Sequence, residues 1–308
     1  MMLPLVTIIT PTFNRASYLD ETIQSVLGQD YPHLDYLILD DGSTDPTADV
    51  LAHYQNEPRL RWQAHPNMGE TRTVNAGFAL ARGEIIAVIN SDDPLRPGAI
   101  RAAVECLLAR PELLVAYPDW DRIGPKSELL KHEPTLDYDY ATMLTRHECI
   151  VGPGAFFRKE AIDLIHGRNP QFRYVGDFDF WLRLGVHGPF ARIPQTLATF
   201  REHPGSATTA ARGAAMAREH IQLIHSFFAQ PNLPPSIRAL SRTALGRAHL
   251  AAAAVCGNAY FTKLKHCLCL ALGHPRVFTQ YLREVSQRLP IQGPPVLRLC
   301  RHVWDRFR

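Results

Sequence analysis

The first 110 residues alternate between short apolar runs and helical segments, and this order constrains the fold more than any other feature. The predicted strands are "LVTIIT", "YLILDD", "LRWQAH" and "EIIAVINS", and the helices that follow them are predicted at 18–27, 47–54, 71–81 and 98–110. Continuous apolar strands separated by helices are typical of a parallel sheet that is covered on both faces. The sequence therefore predicts an α/β fold, Rossmann-like, with a mostly parallel sheet and helices on both faces.

Composition agrees with an ordinary globular chain. Of the 308 residues, 46% are hydrophobic and 20% are charged. No apolar run reaches the roughly 18 residues that cross a bilayer. The N-terminus has no basic region followed by a cleavage site, and the six cysteines form no CxxC pair. We therefore expect a cytoplasmic protein with reduced thiols and no signal peptide.

The net charge of +3 conceals an asymmetry between the two ends of the chain. From Ala210 onward there are 14 Lys or Arg and 3 Asp or Glu, which leaves the first 209 residues acidic. The join falls near "REHPGSATTAARG", where turn residues cluster, so we predict two domains, 1–209 and 210–308. The second is predicted to be helical. Its basic end either packs as a cap with a solvated face or makes peripheral contact with an anionic membrane at the inner face.

Polar turns follow three of the predicted strands. These turns are "PTFNR" after the first strand, "DDGSTD" after the second and "NSDD" after the fourth. Right-handed crossovers bring the carboxyl ends of parallel strands to one edge, where ligands of such sheets bind. Each turn taken alone is also compatible with a solvated connection, and Ser43 or Asp45 could be an N-cap. Their convergence favours a binding site, with the adjacent carboxylates of "SDD" as candidate ligands of a cation.

These turns and three later motifs together resemble the inverting nucleotide-sugar glycosyltransferases of family 2, whose fold is called GT-A. The later motifs are "GPGAFFRKE", "VGDFDFWLRL" and "FREHPGS", and the resemblance covers most of the first 206 residues. It depends on five pieces that occur in the expected order, because a lone "SDD" or "DDGS" would be a weak signal. The helical end of the chain matches nothing diagnostic.

The resemblance implies a role for each matching position. It implies nucleotide-sugar contacts at Pro11, Thr12, Arg15, Asp40, Asp41, Asn67, Gly69, Arg72, Ser91, Asp92, Arg201 and Ser206. It also implies that Asp93 binds the metal and that Asp177 is the catalytic base. His203 is a candidate metal ligand or phosphate contact, and a capping or surface histidine is the alternative. Two departures from the family pattern are Asn90, where many members have Asp, and Gly176, where many have Glu.

The chemistry of sugar transfer explains why such residues would be needed. A divalent cation, Mn²⁺ or Mg²⁺, stabilises the charge on a departing diphosphate, and a nitrogen ligand from His203 would suit manganese better. A carboxylate such as Asp177 can take the proton of the acceptor hydroxyl, although Asp is also a favoured N-cap residue. In the same helix we expect Phe180 and Trp181 in the core, and Arg183 in a salt bridge or a phosphate contact.

The sequence therefore predicts a metal-dependent inverting glycosyltransferase of bacterial-type surface polysaccharide or glycolipid synthesis. The expected partners are a nucleotide-diphosphate sugar and a glycan or lipid-linked acceptor, with no nucleic acid. One alternative is a nucleotidyltransferase that makes the sugar nucleotide, but "PTFNR" lacks the glycines expected of its first loop. Another is a non-catalytic nucleotide-sugar or glycan-binding relative, against which Asp93 and Asp177 argue. A dinucleotide-binding domain is disfavoured because no GxGxxG follows the first strand.

Overall fold

One mixed sheet of eight strands forms the centre of the first part of the chain. In the computed structural model, residues 3–205, 213–256 and 260–288 are described. The strands are β1 (Val6–Thr12), β2 (Leu34–Asp40), β3 (Leu60–Ala64), β4 (Ile85–Val88), β5 (Val115–Ile123), β6 (Leu129–Glu133), β7 (Phe156–Arg158) and β8 (Phe190–Arg201). Their order is β3-β2-β1-β4-β7-β5-β6, and β8 pairs with β5.

Helices connect most of these strands. They are α1 (Ala16–Leu27), α2 (Thr47–Ala52), α3 (Glu70–Leu80), α4 (Ala99–Ala109), α5 (Tyr140–Arg146), α6 (Glu160–Ile165) and α7 (Gly176–Leu184). The first four begin and end within two residues of the predicted bounds, because their apolar positions repeat with helical spacing. The expected helix that contains Asp177, Phe180, Trp181 and Arg183 is also present, as α7.

The sheet is parallel only in its first half. Strands β1, β2, β3 and β4 run parallel to one another, as predicted. Strand β7 is antiparallel to both β4 and β5, whereas β8 is parallel to β5. The register of β8 shifts opposite Pro118–Trp120, at its "IPQT" segment. The fold class is confirmed, and the sheet is more mixed than the sequence indicated.

The core lies on both faces of the first strands. All seven residues of β1 and of β2 are buried, which explains their continuous apolar character. Helix α3 packs closely on β1 at Gly77, where an added Cβ would lie 2.6 Å from the side chain of Ile9. This tight packing fixes α3, and therefore the turn before it, against the sheet.

Contacts divide the chain into two compact units. The first comprises 1–139 and 149–206, and the second comprises 140–148 and 207–308. The sequence did not indicate that α5 groups with the second unit. The proposed domain boundary at residue 209 stays a prediction, and it falls within residues 206–212, which lie outside the described residues.

The second unit is helical over its described residues. Its helices are α8 (Ala214–Phe228), α9 (Pro235–Arg238), α10 (Ser241–Val255), α11 (Tyr260–Leu268) and α12 (Pro275–Arg288), with a π-helical segment at Cys269–Gly273. The helical stretch from Pro235 to Val255 is divided into two helices. Within the described part of the chain, no helix is both long and apolar enough to cross a membrane.

Candidate functional site

The end of β1 supplies the first predicted contacts. Pro11 and Thr12 are buried at its carboxyl end, and among the described residues the Thr12 hydroxyl has no hydrogen-bond partner. A buried hydroxyl without a partner is rare and calls for an explanation. Arg15 follows at the start of α1, where its Nη2 donates to the Gly205 carbonyl oxygen over 2.7 Å. The first predicted turn therefore contacts the last one.

Asp41 shapes the turn that precedes α3. Its Oδ1 accepts a hydrogen bond from the Met68 N–H at 2.7 Å, and its Oδ2 accepts one from the Gly69 N–H at 3.0 Å. The Asn67 amide group in turn donates to the Asp41 carbonyl oxygen at 2.9 Å. Gly69 has φ +88°, a conformation that favours glycine. Three predicted site residues are thus brought together by direct hydrogen bonds.

The neighbouring predicted residues have different surroundings. Asp40 is buried, and its Oδ1 accepts a hydrogen bond from the Ser43 N–H at 3.0 Å. Arg72 is exposed in the first turn of α3. Pro46 is the N-cap residue of α2, so neither Ser43 nor Asp45 occupies that position, although the Asp45 carboxylate accepts the first N–H of the helix at 3.1 Å. Asp45 instead links two helices, because its carboxylate accepts from the backbone N–H groups at the starts of α1 and α2.

Asp92 is the partly exposed carboxylate of the turn after β4. Its Oδ2 lies 2.9 Å from His203 Nε2 and 3.3 Å from Arg15 Nε. These partners come from the N-cap of α1 and from the segment after β8, so three distant parts of the chain meet at one oxygen. Ser91 beside it is buried, and its carbonyl oxygen accepts a hydrogen bond from the Thr22 hydroxyl.

Asp93 is buried, and each of its two oxygens accepts a hydrogen bond from the protein. Its Oδ1 accepts from the Arg201 N–H at 2.8 Å and its Oδ2 from the Asn90 amide at 2.9 Å. Burial and the adjacent charge of Asp92 raise the pKa of Asp93. These contacts argue against the expected metal role of Asp93 and favour Asp92, whose carboxylate is the more accessible of the two.

The contacts of His203 define which ring nitrogen carries the proton. The Gly205 N–H donates to His203 Nδ1 over 3.2 Å, so Nδ1 is the acceptor and Nε2–H donates to Asp92. Coordination through Nε2 would require the proton to move to Nδ1 and the Gly205 N–H to leave it. The ring of His203 is buried, so His203 is not the surface histidine that the alternative proposed.

The pair formed by Asp92 and His203 fits a hard divalent cation only in part. Among the described residues, no group of three or more His, Cys, Asp or Glu side chains is arranged to hold a metal. Magnesium and manganese often take one or two protein ligands, and phosphate oxygens and water complete their coordination. One carboxylate and one imidazole therefore suit an ion that arrives with a diphosphate.

Arg201 does not have the surroundings expected of a diphosphate contact. Its side chain is fully buried, and its Nη2 contacts Glu21 at 2.6 Å. The same guanidinium donates to the Asp92 carbonyl oxygen at 2.8 Å and to the Ser127 hydroxyl at 2.9 Å. Because these protein groups engage the guanidinium, we correct the expectation that Arg201 binds the donor. The other residue predicted in this segment, Ser206, lies outside the described residues.

Asp177 is exposed in the first turn of α7. Its Oδ1 accepts a hydrogen bond from the Phe178 N–H at 2.7 Å, and Val175 is the N-cap residue, so the capping interpretation is wrong. Asp179 is instead buried and pairs with Arg183 at 2.6 Å, which decides the role of Arg183 in favour of the salt bridge. Burial raises the pKa of Asp179 in spite of this pair.

Sequence reasoning missed two residues of α1, namely Tyr18 and Glu21. Tyr18 contacts His203 and Arg201 through its ring, and Glu21 pairs with Arg201. The one available signal was spacing, since Tyr18 lies three residues after Arg15 and therefore on the same helix face.

The first comparison with known proteins is at the level of families. The family described as "Glycosyl transferase family 2" matches residues 7–165, just over half of the chain. The chain is also 30% identical to a chondroitin synthase of Pasteurella multocida over 197 residues, which are 62% of this chain and 20% of that protein. It spans between 17% and 28% of the length of the first four curated relatives that it matches.

Solved structures agree with this assignment. S. aureus TarS 1-349 in complex with UDP-GlcNAc superposes with a TM-score of 0.66 at 16% identity, over 80% of this chain and 73% of that one. The mannosyltransferase PcManGT from Pyrobaculum calidifontis, in complex with GDP-Man and Mn²⁺, gives 0.63 at 17% identity over 99% and 88% of the two chains. This likeness shows the GT-A fold. With the family match over residues 7–165, it follows that the chain belongs to glycosyl transferase family 2.

Proposed function

We propose that this chain is a metal-dependent inverting glycosyltransferase that moves a sugar from a nucleotide-diphosphate sugar to an acceptor hydroxyl. The observation that carries the proposal is the meeting of Asp92, His203 and Arg15 at the carboxyl edge of the parallel strands. Family membership provides the reaction class. Three separate segments thus bring a carboxylate, an imidazole and a guanidinium together at one oxygen of the partly exposed Asp92.

The donor would lie along the strand ends. Pro11, Thr12, Asp40, Asp41, Asn67 and Gly69 would surround the nucleoside, and Arg72 and Arg15 would contact the phosphates. The unpartnered Thr12 hydroxyl supports this, because a bound nucleotide would supply the hydrogen bond that the protein lacks. We assign Asp41 chiefly to shaping the turn, since backbone N–H groups engage both of its oxygens.

Asp92 and His203 would hold the divalent ion. When bound, such an ion stabilises the negative charge that develops on the departing diphosphate. The imidazole nitrogen favours Mn²⁺ over Mg²⁺. The structure of PcManGT with GDP-Man and Mn²⁺ supports the use of a divalent ion within this fold.

Asp177 would act as the base. It would take the proton of the acceptor hydroxyl while the new bond forms at the anomeric carbon and the bond to the diphosphate breaks. Attack opposite the leaving group inverts the anomeric configuration and leaves the proton on Asp177. Its exposed position supports access by an acceptor, and Gly176 supplies no competing carboxylate.

The acceptor is proposed to be a glycan or a lipid-linked glycan of a surface polysaccharide or glycolipid. Similarity to a chondroitin synthase supports polysaccharide synthesis as the setting. The second unit could bring the enzyme to the inner face of a membrane, because Leu264, Leu268 and Leu272 are 43%, 50% and 81% exposed. The segment 260–283 that contains them has four Lys or Arg and no Asp or Glu. An apolar ridge among basic residues suits an anionic lipid surface.

The proposal can be tested by screening UDP- and GDP-sugars with Mn²⁺. The expected result is a metal-dependent increase in melting temperature with one donor, followed by release of the nucleoside diphosphate when an acceptor is added. Formation of a sugar nucleotide from sugar phosphate and NTP would instead support the nucleotidyltransferase. Donor binding without transfer to any acceptor tested would support the non-catalytic relative.

Asp177→Asn tests the catalytic base within the same assay. We expect this variant to bind donor and Mn²⁺ within a few-fold of wild type and to lose most transfer, because an amide cannot take the proton. Melting temperature serves as the folding control. Near-normal transfer by the folded variant would place the base elsewhere, and a product that retains the donor configuration would exclude the single displacement.

A further inference from the structure

The ring of Tyr18 contacts two residues, one at the end of β8 and one in the segment after it. The His203 ring centroid is 4.8 Å from the Tyr18 centroid, at an interplanar angle of 45°. The Arg201 Cζ atom lies 4.9 Å from the same ring, within the range of a cation–π interaction. One aromatic side chain of α1 therefore contacts both residues.

Arg201 ties the turn after β4 to the rest of the first unit. Its Nε donates to the Asp92 carbonyl oxygen, and its backbone N–H donates to Asp93 Oδ1, both at 2.8 Å. Its Nη2 pairs with Glu21 of α1 at 2.6 Å. A fully buried guanidinium needs such partners, and it resists displacement because moving it would leave several of them unpaired. The backbone of Asp92 is therefore fixed from one side by Arg201.

These contacts restrict the geometry of the carboxylate and the imidazole. Asp92 is held through its own backbone, and the Tyr18 ring limits the rotation of His203. Side chains that orient the ligands of a metal typically change its affinity 10–100-fold when they are removed. We propose that Tyr18 and Arg201 are positioning residues for Asp92 and His203 and do not themselves contact the donor. The inference rests on the proposed function, since it concerns the same site.

Four variants separate this role from a merely structural one. Tyr18→Leu removes the ring, Tyr18→Phe keeps the ring without the hydroxyl, and Glu21→Gln removes the charge that pairs with Arg201. Tyr54→Leu is a matched control, because Tyr54 is also half-buried and contacts α1 through a 2.6 Å hydrogen bond to Asp20. Melting temperature is recorded for all four.

The decisive measurement is the affinity for Mn²⁺ in the presence of UDP or GDP. It is obtained from the electron paramagnetic resonance signal of free Mn²⁺, which decreases as the ion binds. We expect Tyr18→Leu to weaken this affinity about 10–100-fold. Glu21→Gln should weaken it by a smaller factor, whereas Tyr18→Phe and Tyr54→Leu should match wild type. The affinity for UDP or GDP, measured in excess chelator, should be the same in all variants as in wild type. A variant that had lost its structure would also bind the nucleotide more weakly.

The outcomes are distinguishable. Wild-type Mn²⁺ affinity in folded Tyr18→Leu would overturn the inference while the proposed function stands. Weaker nucleotide binding by Tyr18→Phe would also overturn it, because the hydroxyl would then contact the donor. If Tyr18→Leu does not fold, unchanged Mn²⁺ affinity in Glu21→Gln is the result that rejects the inference. Failure of wild type to bind Mn²⁺ with either nucleotide would instead contradict the proposed function.

Discussion

At the turn after β4, Asp92 and Asp93 have opposite surroundings although they are adjacent in the chain. Asp92 retains access to solvent, whereas Asp93 is buried with a backbone N–H group and an amide group on its two oxygens. A cation at Asp92 would meet neither of those two donors, and would instead replace the contacts of Asp92 Oδ2 with His203 and Arg15. We therefore assign different tasks to the two carboxylates: Asp92 would face the ligand, and Asp93 holds the turn to the end of β8.

Alanine at each position should separate these tasks. Asp92→Ala is expected to lower metal-dependent turnover at least about 100-fold, which is about 2.7 kcal/mol in barrier height, with little change in melting temperature. Asp93→Ala leaves the Arg201 N–H and the Asn90 amide without their acceptor, so we expect it to lower the free energy of unfolding by about 1–3 kcal/mol. Chemical denaturation and Mn²⁺ binding check the two effects. Loss of Mn²⁺ binding with normal stability in Asp93→Ala would restore Asp93 as the ligand.

For the candidate site, the sequence indicated which turns lie at one edge of the sheet better than it indicated the direction of each side chain. The carboxylates of "SDD" and "DDGS" could be located because they interrupt apolar strands at the carboxyl end. The alternation of a strand ceases at such a turn, so the sequence could not say whether Asp92 or Asp93 faces outward. Arg201 lies in a recognised motif, but its burial depends on Glu21 and Ser127, which are distant in the chain and carry no local signal.

At the scale of elements, the first half of the sheet could be predicted and the second half could not. Strands β1 to β4 are parallel, and their apolar runs and intervening helices give strong periodic signals. Strand β7 has three residues, and β6 is exposed along nearly all its length, so neither has a distinctive pattern. Pairings between strands that are distant in the chain decide this half, and a single sequence does not display them.

The helices of the second unit bury histidines in a neutral form. His147, just after α5, and His220 of α8 lie 2.9 Å apart between Nε2 and Nδ1. Burial, with a contribution from His220, lowers the pKa of His147 to about 3. Burial lowers the pKa of His220 to about 4. Because an unfolded histidine titrates near 6.5, the unfolded state binds protons at a higher pH than the folded state does.

We therefore predict that this unit loses stability in mild acid. The stabilisation is complete above about pH 6.5 and falls as the pH drops toward 4, by up to about 1.4 kcal/mol per pH unit for each histidine. Unfolding in urea at several pH values measures the slope. Replacing His147 and His220 by Gln should reduce it. His249, His266 and His274 also have lowered pKa values, so they add to the slope and part of it should remain in the double variant. A slope equal to that of wild type in the double variant would contradict the prediction.

At the scale of the whole molecule, charge separates the two ends of the chain. The first 209 residues are acidic and the remainder is strongly basic, as composition alone establishes. The sequence also predicted that the second part is helical, which the described residues agree with. It could not indicate that α5 groups with that part, because no local sequence pattern shows that a helix packs with a unit distant in the chain.

Binding to lipid vesicles tests whether the basic end meets a membrane. We expect co-sedimentation with vesicles that contain anionic lipid, little with neutral vesicles, and a decrease as salt is raised. The double variant Leu268→Ser, Leu272→Ser should bind anionic vesicles more weakly, because it lacks two apolar side chains that would contact the lipid. Leu108→Ser is the matched control, because Leu108 of α4 is 42% exposed in the first unit. Equal binding to both vesicle types would reject the electrostatic contact. A concentration-dependent dimer in the absence of lipid would instead favour a second copy of the chain as the partner of Leu264, Leu268 and Leu272.

The hydrogen bond from the Gly205 N–H to His203 Nδ1 has a thermodynamic consequence. Both ring nitrogens are engaged by the protein, so a bare cation must displace the Gly205 N–H before it can coordinate Nε2. Arg15 resists that change, because it holds both the Gly205 carbonyl oxygen and the Asp92 carboxylate. A diphosphate that draws Arg15 away would lower this cost. The ion and the nucleotide should then bind with positive coupling, and linkage requires that each raise the affinity of the other by the same factor.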